Sequence, residues 1–143
     1  MFESFIDAGA VRQLGISNCY GLVNLEELYR AARIKPAVVQ NRFYADTGYD
    51  IEIRAYCRGN RITFQSFWTL TANPKLLIHP VIAALAASHY RTAEQILLRY
   101  LTQIGVVPLT GTRSLQHMRD DLAIVEFELS DADLGGITTI LGQ

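Results

Sequence analysis

Short apolar runs rich in β-forming residues alternate along this chain with segments of helical periodicity. The runs lack the regular polar–apolar alternation of a half-exposed strand, so they predict strands that are buried on both faces. We expect four such strands, at 14–17, 37–40, 62–67 and 106–109. Because strands that alternate with helices form parallel βαβ units, the sequence predicts an α/β fold with four parallel strands and flanking helices.

The segments between these runs carry apolar residues three or four positions apart, which is the periodicity of an amphipathic helix. Capping residues mark several of their ends. Asn24, Thr92 and Ser130 are predicted N-caps, and Gly9 and Gly105 are predicted to close helices at their carboxyl ends. The expected helices occupy residues 1–9, 24–33, 46–58, 80–88, 93–104, 114–122 and a segment after Ser130.

The composition argues against several classes of protein. The 143 residues suit one domain, and half of them are hydrophobic, which is enough to bury a core. A net charge of −1 gives no electrostatic case for a nucleic-acid partner. We interpret the densest basic set, Arg54, Arg58 and Arg61, as the solvated side of a helix. Cys19 and Cys57 are too few for a disulfide framework or a metal-ligand cluster, so we expect free thiols and no metal site.

The chain shows no targeting pattern. Its first residues, Met1-Phe2-Glu3-Ser4, contain no basic stretch and precede no long apolar core, so we expect no signal peptide. No apolar run reaches the ~20 residues that a membrane-spanning helix needs. We therefore expect a cytoplasmic protein with no membrane partner.

Polar or aromatic residues follow each predicted strand. The strands run into Ser17-Asn18, Gln40-Asn41, Ser66-Phe67-Trp68 and Thr110-Gly111-Thr112. Because parallel strands bring their carboxyl ends to one edge, these residues should converge on the edge where α/β proteins bind ligands. After any single strand the same residues are also the ones that make good loops. Four such strand ends together favour a binding site.

The residue types at these ends suggest a ligand class. Asn18 and Gln40 each offer a donor and an acceptor on one planar amide, which suits the recognition of a carboxamide. Phe67 offers a flat apolar face on which a ring can stack. The loop before the helix at 114–122, with Arg113, suits a phosphate. This set fits a nicotinamide dinucleotide, although the chain contains no G-x-G-x-x-G fingerprint.

Five segments strengthen this interpretation: "VRQLGISN", "KPAVVQNRFY", "ITFQSFWTL", "AEQILLRYLTQIGVVPLTGT" and "HMRDDLAI". In order and spacing the chain resembles the aldo-keto reductase family from about residue 1 to 141. That resemblance implies the carboxyl-terminal half of a (β/α)8 TIM barrel, as one partial domain over 1–143 that binds NADPH without a Rossmann motif.

The resemblance also implies roles at the nicotinamide end of the cofactor. Ser17, Asn18 and Gln40 match residues that hold the nicotinamide carboxamide. Phe67 stands where the family usually has a tyrosine that stacks on the nicotinamide ring. Leu70 matches a leucine in the loop that covers the cofactor.

At the adenosine end the resemblance implies contacts from Thr110, Gly111, Thr112, Arg113, His117 and Asp121. Thr110 matches a Ser or Thr near the adenosine phosphate, and Asp121 stands where an asparagine commonly contacts adenine. His117 replaces the arginine that usually grips the 2′-phosphate, and Leu109 replaces a common lysine. Arg113 is a candidate substitute for the missing charge. The expected cofactor is NADP, with NAD as the alternative.

The family's catalytic Tyr, Lys, Asp and His belong to its amino-terminal half, and no residue here matches them. Three hypotheses follow. The chain is part of an NAD(P)H-dependent carbonyl oxidoreductase, which acts on a small carbonyl or alcohol substrate when complemented. Alternatively, it is a non-catalytic half-barrel that binds a nicotinamide nucleotide, or it is an inactive fragment. The open barrel edges could also pair with a second copy.

Overall fold

The computed structural model describes residues 2–142, and its centre is a single parallel sheet. The strands are β1 (Gly15–Ser17), β2 (Val38–Arg42), β3 (Thr63–Phe67) and β4 (Val106–Pro108), and they lie side by side in chain order. Each strand pairs in parallel with the next. The prediction of four parallel strands with flanking helices is confirmed.

The helices connect these strands and cover one side of the sheet. They are α1 (Glu3–Asp7), α2 (Leu22–Ala31), α3 (Ile51–Gly59), α4 (Pro74–Leu77), α5 (Pro80–His89), α6 (Ala93–Gln103), α7 (Leu115–Leu122) and α8 (Asp131–Ile140), with 3-10 turns at Ala45–Asp50 and Ala123–Glu126. None of the helices in residues 2–142 has the length and apolar character to span a bilayer.

Several predicted helix ends are confirmed by their hydrogen bonds. Thr92 and Ser130 are N-caps, and each forms a capping box with the residue three positions on, Gln95 and Asp133. Gly105 follows the end of α6 with φ of 84°, a conformation that glycine adopts without steric cost. These caps depend on neighbours in sequence, which is why the sequence alone located them.

Two predicted helix starts are wrong. The helix expected from Asn24 begins at Leu22, because Gly21 with φ of 116° turns the chain there and occupies the N-cap position. The helix expected over 46–58 is interrupted. Residues 48–50 are left-handed, with φ of 58°, 55° and 52°, and α3 starts only at Ile51. This turn places the Tyr49 ring 4.8 Å from that of Phe43, a contact that the local sequence does not reveal.

The interpretation of the arginine set is also wrong in part. Arg58 and Arg61 are exposed, but Arg54 is buried. Its Nε donates to the backbone oxygen of Tyr49 at 2.8 Å, and its guanidinium lies 5.7 Å from the Phe43 ring centre. Burial lowers the pKa of Arg54. The same left-handed turn that interrupts the predicted helix therefore brings Arg54 into the interior.

The core lies between the sheet and the helices. Val39, Phe64 and Val106 point from the sheet into it, and α6 supplies its largest group of buried side chains, which are Gln95, Ile96, Leu97, Leu98, Tyr100 and Leu101. Apolar burial of this kind is the main favourable term in folding. The core is thus concentrated on the helix side of the sheet.

The opposite side of the sheet, called here the inner face, is formed by Gly15, Ser17, Val38, Gln40, Arg42, Thr63, Gln65, Phe67 and Val107. Its residues range from half-buried to exposed, and Val107 is 44% exposed. The expectation of strands buried on both faces is therefore wrong for this face. Within residues 2–142, no helix packs over it.

The two cysteines differ in burial, and their reactivity should differ accordingly. Cys57 is 1% exposed, and burial raises the pKa of its thiol to about 12. Cys19 is half-buried, and burial raises its thiol pKa as well. Because the thiolate is the reactive form, we expect iodoacetamide at about pH 8 to alkylate Cys19 well before Cys57.

Mass spectrometry of time points would measure both rates. Unfolding in denaturant should bring the two rates together, which serves as the control. Equal rates in the folded protein would contradict the burial of Cys57.

Candidate functional site

A cleft of about 730 Å3 opens at the carboxyl ends of β3 and β4. It is bounded by the segment that follows Phe67 and by the loop between β4 and α7. Seven of the predicted cofactor-binding residues line it: Phe67, Leu70, Thr110, Gly111, Thr112, His117 and Asp121. The structure therefore brings together residues that are separated by more than forty positions in the sequence.

The loop on the β4 side is held by its own hydrogen bonds. The Thr112 hydroxyl accepts from the backbone N–H of Ser114 at 3.0 Å, and it lies 3.4 Å from Nδ1 of His117. Ser114 is the N-cap of α7 and accepts from the backbone N–H of His117. Arg113 is exposed and does not line the cleft. The loop is thus ordered around Thr112, while Arg113 points elsewhere.

Ser17, Asn18 and Gln40 form a second group, called here the amide group, at the ends of β1 and β2. The Asn18 Nδ2 donates to the Ser17 hydroxyl oxygen at 3.2 Å, and Asn18 Oδ1 accepts from the Tyr20 hydroxyl at 3.1 Å. Gln40 Nε2 donates to Gln65 Oε1 at 3.0 Å. The amide group lies outside the cleft lining.

The amide group is joined to the cleft through the inner face. Ser17 pairs in register with Gln40, and Gln40 pairs with Gln65. Gln65 stands two residues before Phe67 on β3, so both side chains point to the same face. The two groups of predicted residues are consequently parts of one continuous surface.

Asn41 anchors the amide group from beneath. Its side chain is 0% exposed, accepts from the backbone N–H of Cys19 at 2.9 Å, and donates to the Cys19 backbone oxygen at 2.8 Å. It also donates to Asp50 Oδ2 at 3.0 Å. Burial raises the pKa of Asp50, while the hydrogen bond from Asn41 works in the opposite direction. Asn41 therefore fixes the turn after β1 instead of facing a ligand.

Sequence reasoning missed two contributors to the surface, Tyr20 and Arg42. The Tyr20 hydroxyl orients Asn18 and accepts from the backbone N–H of Arg42 at 3.3 Å. The Arg42 guanidinium lies 4.3 Å from the Trp68 ring centre. Trp68, which follows β3, is 57% exposed and lines the cleft. The period of two along β2 would have placed Arg42 on the same face as Gln40.

The cleft is acidic at the end nearest α7. Glu94, Asp120 and Asp121 line it, and among residues 2–142 neither a lysine nor an arginine does so. His117 is the one basic side chain in the lining of the described part of the chain. An anionic ligand bound there would meet carboxylates, whereas a hydroxyl group could donate to them.

Comparison with known proteins decides the family. The model of the Aldo/keto reductase family matches residues 1–141.

This chain belongs to the aldo-keto reductase family.

Two reductases are similar to nearly the whole chain. Glyoxal reductase of Bacillus subtilis is 31% identical over 96% of this chain and 49% of its own length. A probable NAD(P)H-dependent D-xylose reductase of Emericella nidulans is 31% identical over 96% of this chain and 47% of its own length. The chain thus spans about half the length of the curated relatives that it matches.

Solved structures are likewise similar to nearly the whole chain over about half of their own length. An aldo-keto reductase, MGS-M4, from a Medee basin deep-sea metagenome library is 25% identical, with a TM-score of 0.89 over 99% of this chain and 53% of that one. Aldose reductase from Schistosoma japonicum is 27% identical, with a TM-score of 0.83 over 97% and 44%. The resemblance drawn from sequence is confirmed, as is the match to half of a TIM barrel.

The anchoring role of Asn41 predicts a large loss of stability on truncation. Asn41→Ala would leave the Cys19 backbone groups and the Asp50 carboxylate without these buried partners. We expect the free energy of unfolding to fall by about 2–4 kcal/mol, since each unsatisfied buried group costs roughly 1–3 kcal/mol. Urea denaturation followed by circular dichroism would measure the change.

Asn24→Ala is the matched control, because Asn24 is exposed in the first turn of α2. Its effect should stay within about 0.5 kcal/mol. Equal stabilities of the two variants would show that Asn41 does not anchor the turn.

Proposed function

We propose that this chain forms the cofactor-binding part of an NAD(P)H-dependent carbonyl oxidoreductase. The observation that supports this most is the continuous surface from the amide group to the cleft, which carries ten of the predicted cofactor residues at the carboxyl ends of the strands and in the segments that follow them. Membership of the aldo-keto reductase family supports the same reading. One structural relative was solved as its complex with NADPH.

The amide group suits the nicotinamide carboxamide. Asn18 Nδ2 already uses the Ser17 oxygen as acceptor, which leaves the Ser17 hydroxyl proton to donate to a carboxamide oxygen. Gln40 donates to Gln65, which leaves Gln40 Oε1 to accept from a carboxamide N–H. Tyr20 keeps the Asn18 amide in place. These three groups could therefore bind a primary amide from both sides.

The bound nicotinamide would supply a hydride to the carbonyl carbon of a small aldehyde or ketone. The residues of this chain would orient that ring: the amide group by hydrogen bonds and Phe67 by stacking. Neither a tyrosine nor a lysine within residues 2–142 lines the cleft. We therefore assign protonation of the carbonyl oxygen to a group from the family's other half, so this chain would act as an enzyme only when complemented. A non-catalytic half-barrel that binds the nucleotide is the second candidate. The lack of tyrosine and lysine in the described lining of the cleft supports it equally.

Titration with NADPH and with NADH tests the binding proposal directly. Trp68 is the sole tryptophan of the chain and lines the cleft, so its fluorescence should be quenched saturably by either dinucleotide. A folded sample that shows no saturable quenching would contradict the proposal and favour an inactive fragment. Reduction of glyoxal or D-xylose, measured with and without the amino-terminal half of the Bacillus subtilis relative, would then separate a complemented enzyme from a binding module.

Phe67→Ala tests the stacking role. Loss of a large aromatic contact should weaken NADH or NADPH binding by about 1–3 kcal/mol. Phe5→Ala is the control, because Phe5 is 46% exposed on α1, away from the cleft. Calorimetric titration would measure the dissociation constants, and an unchanged constant for Phe67→Ala would refute the stacking role.

The carboxylates of the cleft bear on the choice between NADP and NAD. Glu94 and Asp121 can accept a hydrogen bond from a ribose 2′-hydroxyl but would repel a 2′-phosphate. We propose that NADH binds at least as tightly as NADPH, although NADP is the cofactor that the resemblance implies.

Replacing these carboxylates should shift the preference between NADH and NADPH. In Asp121→Asn and Glu94→Gln, NADPH binding should improve relative to NADH by about 1 kcal/mol each, the scale of a screened charge pair at 4 Å. Asp46→Asn, an exposed position before α3, should leave the ratio unchanged. A constant NADPH-to-NADH ratio in all three variants would count against a role for the carboxylates.

A further inference from the structure

Arg42 lies on the inner face and makes none of the cofactor contacts proposed so far. It is the last residue of β2, and it pairs in register with Phe67. Its guanidinium carbon lies 4.3 Å from the ring centre of Trp68 and 5.1 Å from that of Tyr44. Arg42 thus lies against two aromatic rings, directly beside the proposed stacking residue.

One donor of this guanidinium has no acceptor within the described part of the chain. Its Nε is buried and has no hydrogen-bond partner. None of the ion pairs formed among residues 2–142 includes Arg42. Guanidinium groups that stack on aromatic rings keep their edge donors available for carboxylates and phosphates. A half-buried arginine that stacks on aromatic rings and has no acidic partner among the described residues therefore indicates an anionic ligand.

The charges of the surrounding surface indicate which anion it would be. A dinucleotide that reaches from the amide group to the cleft must carry its pyrophosphate across the Phe67–Trp68 segment between them. The charged residues that line the cleft are carboxylates, and no lysine or arginine of the described chain lines it. Arg42 lies at this crossing and brings the positive charge that the cleft lining lacks.

We infer that Arg42 binds the pyrophosphate of the dinucleotide by hydrogen bonds from its guanidinium edge, with Trp68 and Tyr44 holding the group in place. This inference rests on the proposed function. It adds a residue and a contact that neither the strand-end pattern nor the family resemblance assigned.

Calorimetric titration with NADH tests the inference. In Arg42→Gln the dissociation constant should rise by about tenfold or more, because a hydrogen bond to a charged group contributes roughly 1.5–3 kcal/mol. Affinity should also depend less on salt concentration, since one ionic contact is lost. Arg42→Lys, which keeps the charge but not the planar group, should retain the salt dependence and recover part of the affinity.

Arg61→Gln is the matched control, because Arg61 is exposed at the opposite end of β3. It should bind NADH as the wild type does, with the same salt dependence. Thermal denaturation of each variant would confirm that it is folded. A loss of affinity with an unchanged salt dependence would show that Arg42 acts only by packing and would overturn the inference.

Two further outcomes would also overturn it. A wild-type chain that does not bind NADH would refute the proposed function, and the assignment of Arg42 with it. If the wild type binds NADH and Arg42→Gln binds it equally well, only the assignment of Arg42 falls. Loss of glyoxylate binding to that NADH-loaded variant would then assign Arg42 to a substrate carboxylate instead.

Discussion

The parallel register of the sheet is the constraint on which the rest of the structure depends. It sets Ser17 beside Gln40, Gln40 beside Gln65 and Arg42 beside Phe67, so that side chains from three strands form one surface. Neighbouring strands lie about 4.8 Å apart, and the row from β1 to β4 therefore spans roughly 14 Å. A shift of one residue in any strand would turn its side chains to the other face and dismantle this surface. The Asn41 hydrogen bonds to Cys19 hold the turn that follows β1, which is a short edge strand.

The sequence predicted those features that depend on close neighbours in the chain. Thr92 and Ser130 cap helices through residues three positions away, and each β-rich run needs only its own composition to be recognised. The errors lie where a distant contact decides the local conformation. The left-handed turn before α3 is held by Phe43 and Asn41, and it also buries Arg54, which periodicity alone had placed in solvent.

The same distinction separates the site residues that the sequence predicted from those that it missed. Strand-end residues such as Phe67 and Thr110 were predicted because each follows an apolar run. Glu94 was missed because it lies within α6, and only the packing of that helix against the sheet brings its carboxylate to the cleft. Arg113 was predicted to bind the cofactor because it lies in a loop that suits a phosphate, yet it does not line the cleft. Side-chain direction in a loop depends on its hydrogen bonds, here those of Thr112 and Ser114, and these cannot be derived from residue type.

The exposed inner face carries polar groups of the candidate site, but the same sheet leaves strand edges and apolar side chains uncovered. Among residues 2–142, the four-stranded sheet leaves β1 and β4 with unpaired edges, and such edges tend to associate with another chain. The exposed side chains of Val107 and Leu109 add apolar area at the β4 edge. Eight strands are the number at which a parallel barrel closes and fills its interior with side chains, and the curated relatives are about twice as long as this chain. Closure by a complementary half would pair both edges at once. It would also lower the local dielectric around Arg42, which would strengthen its attraction for an anion and so couple cofactor binding to completion of the barrel.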